Sequence, residues 1–266
     1  MSKNPVYISR RNFLKVGAFT AAMATLSVPA FAASDEENCF RKITAQYGPV
    51  QGVDQGDSLV WYGIPYGAAP VGDLRWQAPQ DPAAWSDVKD CTQVSPVAYQ
   101  YSSGPIGTED CLKLDVYTTP NAHKLPVLVF IHGGNNQTGN TKEILGSELV
   151  VRDNCVFVTI DYRLGLFGFN CLPALHRGSD DTGNFTLLDI AKALDWVRDN
   201  IAQFGGDPDN ITVSGFSAGG RDVMAMLASP MSASDDELRL IGRVHTHKET
   251  VEAVRAARAA GFDNVS

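Results

Sequence analysis

Ile211-Thr212-Val213-Ser214-Gly215-Phe216-Ser217-Ala218-Gly219 is the stretch whose reading decides the fold. A β-branched run enters it, and a small-residue, helix-forming run leaves it. The G-x-S-x-G pattern suits a strand-to-helix elbow: the glycines admit a tight, strained turn that pushes the serine hydroxyl outward. The N–H groups at the start of the following helix then face any negative charge that develops there. Alone the pattern is a weak signal. With 24 glycines in 266 residues, chance yields it in roughly one such chain in seven, so its surroundings must carry the reading.

Working upstream, Asp207-Pro208-Asp209-Asn210 separates the strand at Ile211 from a helix expected over Thr186 to Phe204. In that helix Leu187, Leu188, Ala191, Leu194, Val197, Ile201 and Phe204 recur at three- and four-residue spacings, a stripe wide enough to cover a sheet face. Earlier still, Lys113 to Tyr117, Pro126 to Ile131 and Val156 to Ile160 read as strands, with a helix from Glu143 to Arg152. Short β-like runs broken by glycine, between Ile43 and Tyr62, suggest a small antiparallel sheet. Alternating strands and helices imply a mostly parallel sheet, with active residues beyond the strands' carboxyl ends. Two motifs fall there: the serine elbow, and Ile131-His132-Gly133-Gly134-Asn135 after an apolar strand. Acyl transfer needs a nucleophile and, close by, backbone donors for a tetrahedral oxyanion. A glycine pair after a strand allows such close approach.

The N-terminus reads as a twin-arginine export signal: Ser9-Arg10-Arg11-Asn12-Phe13-Leu14-Lys15, a mild apolar stretch, and Ala30-Phe31-Ala32 as an A-x-A cleavage site. Val16 to Val28 is too short and too weakly apolar to anchor in a bilayer, so no stable membrane span is expected once the signal is removed. Cleavage after residue 32 removes four basic residues and no acid, taking the net charge from -8 to -12. An exported protein of that charge has no electrostatic reason to bind nucleic acid. The remaining 234 residues, in a chain 44% hydrophobic, suffice for one sizeable core. Cys39, Cys91, Cys111, Cys155 and Cys171 are an odd number, which allows at most two intrachain bridges. Connectivity cannot be deduced from sequence; Cys91 with Cys111 is the pairing expected, and Cys155 belongs in the core. No spacing suggests a metal site.

Several ordered stretches together resemble one family. They are Gly63-Ile64-Pro65-Tyr66 with Pro70 to Trp76, Glu109-Asp110-Cys111-Leu112 through Tyr117, Asp161-Tyr162-Arg163-Leu164-Gly165, Gly183-Asn184-Phe185 with Leu187-Leu188-Asp189, Phe204 to Pro208, and Gly215 to Gly220. From about Tyr47 to Pro230 the chain resembles the type-B carboxylesterases, the cholinesterase-like branch of the α/β-hydrolases. The resemblance implies an α/β-hydrolase fold, a mostly parallel sheet with helices on both faces, truncated after the elbow. It implies hydrolysis of a small-molecule carboxylic ester through an acyl-enzyme, with no metal or organic cofactor. Ser217 would be the nucleophile, and the N–H groups of Gly134, Asn135 and Ala218 the oxyanion donors. Arg75 with Glu109 and Arg163 with Asp189 would be structural ion pairs.

This sequence departs from the family pattern in three places. Asn135 and Asn136 stand where a third glycine and an aromatic are usual, which implies a reshaped acyl pocket. Phe216 replaces a common glutamate, which implies an altered pH profile. The family's acid and histidine follow the serine well downstream, and the resemblance stops at Pro230, so it implies feeble turnover for this chain; loss of a triad member costs about 10⁴–10⁶ in rate. His245 and His247 are poor candidates for the missing base, and His132 reads as part of the oxyanion loop. Residues 231–266 read as a foreign or atypical helical tail. Thr246 with Glu249 forms a capping box and Gly261 a stop. The tail resembles a fragment of the oxygen-independent coproporphyrinogen oxidase-like radical-SAM proteins, without their cluster-binding cysteines. Two other readings remain: a non-catalytic esterase-like binding module, against which the intact elbow argues, and a fusion or junction artefact, which the abrupt change between Pro230 and Asp235 favours. A sheet cut after the elbow would leave an unpaired edge and a tendency to aggregate or to need a partner.

Overall fold

The computed structural model describes residues 40–175, 183–229 and 238–243. The export signal, the capping box and stop of the tail, and His245 and His247 lie outside the described residues. The strands are β1 (Phe40–Ala45), β2 (Gly48–Asp54), β3 (Leu59–Pro65), β4 (Lys89–Asp90), β5 (Gln100–Tyr101), β6 (Pro105–Ile106), β7 (Lys113–Thr118), β8 (Leu125–Ile131), β9 (Val156–Ile160), β10 (Gly206–Phe216) and β11 (Leu238–Arg243). The helices are α1 (Gly146–Asp153), α2 (Gly165–Gly168), α3 (Phe185–Asn200) and α4 (Ala218–Ala228).

One sheet runs in the order β1-β2-β3-β7-β9-β8-β10-β11, with β4 beside β2. Its first half is antiparallel as far as the β7–β9 pair. The half that carries the motifs, β9-β8-β10-β11, is parallel. The small antiparallel sheet expected from Ile43 to Tyr62 is therefore not separate. Leu59 to Pro65 pairs with β7 across an irregularity between Trp61 and Ile64, which welds it to the main sheet.

In β8 and β9 the runs 127–131 and 156–158 are continuously apolar, as expected of strands covered on both faces. On one face, Ile190, Ala193, Leu194 and Val197 of α3 and Val223 and Met226 of α4 pack on Leu114, Val116, Val129 and Val158. On the other, Val150 of α1 meets Tyr117, Phe130 and Phe157. Each fully buried aliphatic or phenyl side chain contributes about 1.5–3 kcal/mol. The helix expected from Glu143 begins instead at Gly146, after a short 3-10 turn at Thr141–Glu143. The reason is packing: a Cβ at Gly146 would sit 2.5 Å from the Tyr117 ring and 2.6 Å from that of Phe157, so α1 starts where it touches the sheet. Asp207 to Asn210, expected to separate the helix from the strand at Ile211, lies inside that strand. It forms an irregularity within β10, whose register against β8 shifts between Gly206 and Ile211.

Two expectations are corrected. The edge beyond β10 is not unpaired, because Leu238–Arg243 of the tail lies parallel to Ile211–Phe216. The alternation Leu238, Arg239, Leu240 is a strand signal that the helical reading of the tail passed over. Cys91 and Cys111 are both free and buried, not bridged. Cys91 is tied to the sheet, its N–H donating to Gln51 O and its carbonyl accepting from Tyr62 N. Cys111 lies buried within reach of the charges of Asp189, Asp161 and Arg163. Burial pushes the Cys91 thiol up to about 12 and the Cys111 thiol well above its usual range, so both are inert while folded. Alkylation of the native protein should therefore modify exposed Cys171 and spare Cys91 and Cys111 until denaturant is added. Mass mapping of a Cys91–Cys111 bridge would contradict this. Among the described residues no helix is long and apolar enough to cross a membrane.

Candidate active site

The elbow forms as its glycines require. Ser217 has φ 54 and ψ -113, a region that non-glycine residues enter only under strain. The strained turn holds because β10 and α4 meet without side chains between them. A Cβ on Gly215 would lie 2.3 Å from Gly219 O, and one on Gly219 would lie 2.2 Å from Ile131 O and 2.5 Å from His132 O. Ser217 is half-buried and Phe216 is 42% exposed, so the serine stands at the surface end of the parallel strands. Among the described residues nothing hydrogen-bonds to its Oγ.

The loop after β8 meets the elbow at Gly133, where an added Cβ would be 3.1 Å from Ser217 Cβ. Beyond it Gly134, Asn135 and Asn136 have φ of 90, 58 and 55, three successive left-handed residues. Asparagine tolerates that region better than other side chains, which is how this loop turns without a third glycine. Gly134 O accepts from the N–H groups of Gln137 and Thr138 at 3.0 and 3.1 Å. The N–H groups of Gly134, Asn135 and Ala218 donate to no acceptor among the described residues. They are free to serve a ligand.

The loop is pinned from four directions. Asn136 O accepts from Gly165 N at 2.6 Å. Arg221 Nη2 donates to Asn135 Oδ1 at 2.9 Å, and Asn136 Nδ2 donates to Asp222 Oδ1 at 2.9 Å. At the far end the Gln100 carboxamide clasps Gly139, donating to its carbonyl at 2.9 Å and accepting from its N–H at 3.0 Å. His132 lies beneath. It is 1% exposed, stacked on Tyr162 at 4.3 Å, and Tyr162 OH donates to its carbonyl at 2.6 Å. Burial pulls its pKa down to about 4, so it stays neutral and structural.

Both expected ion pairs form. Arg75 meets Glu109 through two bonds of 2.5 and 2.7 Å. Arg163 and Asp189, 2% and 0% exposed, share bonds of 2.6 and 2.8 Å. Arg163 immediately precedes the Leu164-Gly165 segment that holds Asn136. An open cleft of about 640 Å³ adjoins the loop at Asn135, Asn136 and Gln137, with Tyr99, Phe167 and Phe169 in its wall and Ser217 outside it. Among the described residues no charged side chain lines it, and no group of three or more metal-ligating side chains occurs. Ser217 and its three candidate donors are visible in the sequence as candidates, whereas Gln100, Arg221 and Asp222 are not. Of these, Arg221 and Asp222 give a signal, as the two charged residues in a run of Ala, Gly, Val, Met and Leu.

A family model described as the carboxylesterase family matches residues 40–241. The chain is 44% identical over 199 residues to the para-nitrobenzyl esterase of Bacillus subtilis (strain 168), which covers 71% of this chain and 40% of that protein. It is 38% identical over 229 residues to the fumonisin B1 esterase of Sphingopyxis macrogoltabida, covering 82% and 42%. Among solved structures, a PNB esterase superposes with a TM-score of 0.70 at 40% identity, covering 83% of this chain and 48% of that one. The Geobacillus stearothermophilus carboxylesterase does so at 0.70 and 34%, covering 84% and 49%. The matched part thus spans less than half the length of these relatives. The shared fold is the α/β-hydrolase fold.

Proposed function

Because this chain belongs to the carboxylesterase family, we propose that it carries the nucleophile and oxyanion elements of a serine carboxylesterase acting on a small-molecule ester. The observation that carries this is the elbow: a serine held at φ 54, beside a loop whose Gly134 and Asn135 N–H groups have no other acceptor among the described residues. In the proposed step the serine oxygen adds to the ester carbonyl carbon. The carbonyl oxygen takes up negative charge between the N–H groups of Gly134, Asn135 and Ala218, and the alcohol leaves with a proton to give the acyl-enzyme. One such donor is worth about 10²–10³ in rate. The aromatic wall of the cleft, Tyr99, Phe167 and Phe169, supports a substrate with an apolar group. Hydrolysis of a short nitrophenyl ester by the purified chain tests the proposal. A rate above that of Ser217→Ala supports it, and equal rates contradict it.

We also propose export by the twin-arginine route, on the Ser9-Arg10-Arg11-Asn12-Phe13-Leu14-Lys15 run and the Ala30-Phe31-Ala32 site. Replacing Arg10 and Arg11 by lysine should retain the protein in the cytoplasm at full length. An unchanged exported fraction, read by immunoblot of cell fractions, would refute the route.

A further inference from the structure

Asp222 is 4% exposed and sits in the first half of α4, one turn beyond the serine. Its Oδ1 accepts from Asn136 Nδ2. Its Oδ2 is buried without a partner among the described residues, and so is Asn136 Oδ1. An ionised carboxylate is acceptor-only, so it leaves both oxygens unsatisfied, an arrangement costly in a buried site. A proton on Asp222 supplies the missing donor: the carboxyl can give it to Asn136 Oδ1 while accepting from Asn136 Nδ2, closing a two-bond acid–amide ring.

We propose that Asp222 is the positioning residue of the oxyanion loop: its carboxyl, paired with the Asn136 carboxamide, holds the Gly134 and Asn135 N–H groups beside Ser217, and holds them most firmly when it carries a proton. This rests on the esterase reading of the site. Asn136 at φ 55 has no intrinsic preference strong enough to fix it, and Gly165 N secures only its backbone carbonyl. The charged and titratable groups around Asp222 do not displace the ring. Arg221, next to it on α4, directs Nη2 to Asn135. Tyr162, two residues past β9, directs its hydroxyl to His132 O, touches His132 Nδ1 at 3.3 Å and feels the charges of Asp222, Glu143 and Asp161. Burial pushes the Asp222 carboxyl up to about 6, with the Asn136 bond and Arg221 opposing the rise.

The test is the rate at which a fluorophosphonate ester labels Ser217 from about pH 5 to about pH 8, in wild type, Asp222→Asn and Asn136→Ala. Asparagine at 222 keeps both bonds at every pH. The labelling ratio of Asp222→Asn to wild type should therefore rise about tenfold as pH passes through 6, whatever base titrates alongside. Urea midpoints give a readout that needs no reactive serine. A carboxyl whose pKa is raised on folding contributes stability below its unfolded value, near 4, and that stability is lost as pH rises to 6. Wild type should show this fall relative to Asp222→Asn. Asp115, also pushed up to about 6 by burial, falls equally in both and cancels. Asn136→Ala should move the step. Parallel pH curves in both readouts, or an Asn136→Ala step identical to wild type, would overturn the proposal. If Ser217 is unlabelled in every protein, the esterase reading fails, and the urea comparison alone decides the ring.

Discussion

An Arg163→Leu variant should lose about 3–5 kcal/mol of stability. Arg163 and Asp189 are 2% and 0% exposed, and every guanidinium nitrogen of Arg163 donates a bond. Nε and Nη2 go to the two oxygens of Asp189, Nη1 goes to Gln77 O at 2.8 Å, and the backbone N–H also reaches Asp189 at 3.1 Å. Leucine fills much of the same volume but leaves a buried carboxylate with one backbone donor and no counter-charge. The cost is that stranded charge rather than the worth of the pair itself, so Arg163→Leu with Asp189→Leu should recover most of the loss. The urea midpoint of the single and double variants measures both. A single-variant loss below about 1 kcal/mol would place the pair in solvent contact. The effect should reach the site as well, because residues 164 and 165 follow the arginine and Gly165 N holds Asn136.

Gly219→Ala should reduce Ser217 labelling by at least about 10²-fold. The added Cβ would lie 2.2 Å from Ile131 O and 2.5 Å from His132 O. Both are backbone atoms, one closing β8 and the other opening the oxyanion loop. Neither can rotate away as a side chain could. Helix α4 must therefore lift from the sheet, and Ser217 and Ala218 at its head move with it, away from Gly133. Overpacking costs about 1–3 kcal/mol, so the variant should still fold while its serine falls silent. A Gly219→Ala protein that labels as wild type would show that the elbow is not held by this contact.

What the sequence made legible was local. The elbow could be read because its glycines stand two positions either side of the serine, and a tight turn needs them there. The strands at Pro126 and Val156 could be read because strands buried on both faces are near-continuous apolar runs, broken here only by Thr159. The ion pairs came through family resemblance, since nothing in the spacing of Arg163 and Asp189 joins them. What escaped is carried by contacts distant in sequence. Asn136 and Asp222 are 86 residues apart, and Gln100 reaches Gly139 across 39; no periodicity encodes either. The pairing of β11 with β10 escaped for a related reason. Leu238 to Arg243 is a short alternating run whose parallel partner can be identified only once the sheet exists.

The most direct test of Ser217 as an activated nucleophile is the intact mass of the purified chain after reaction with a fluorophosphonate ester. In that reaction the serine oxygen bonds to phosphorus, fluoride leaves, and the hydroxyl proton passes to solvent or a base. One phosphonyl adduct, mapped to Ser217 and absent from Ser217→Ala, is the expected result. A folded chain that takes up no adduct, or takes it up at another residue, would contradict the assignment.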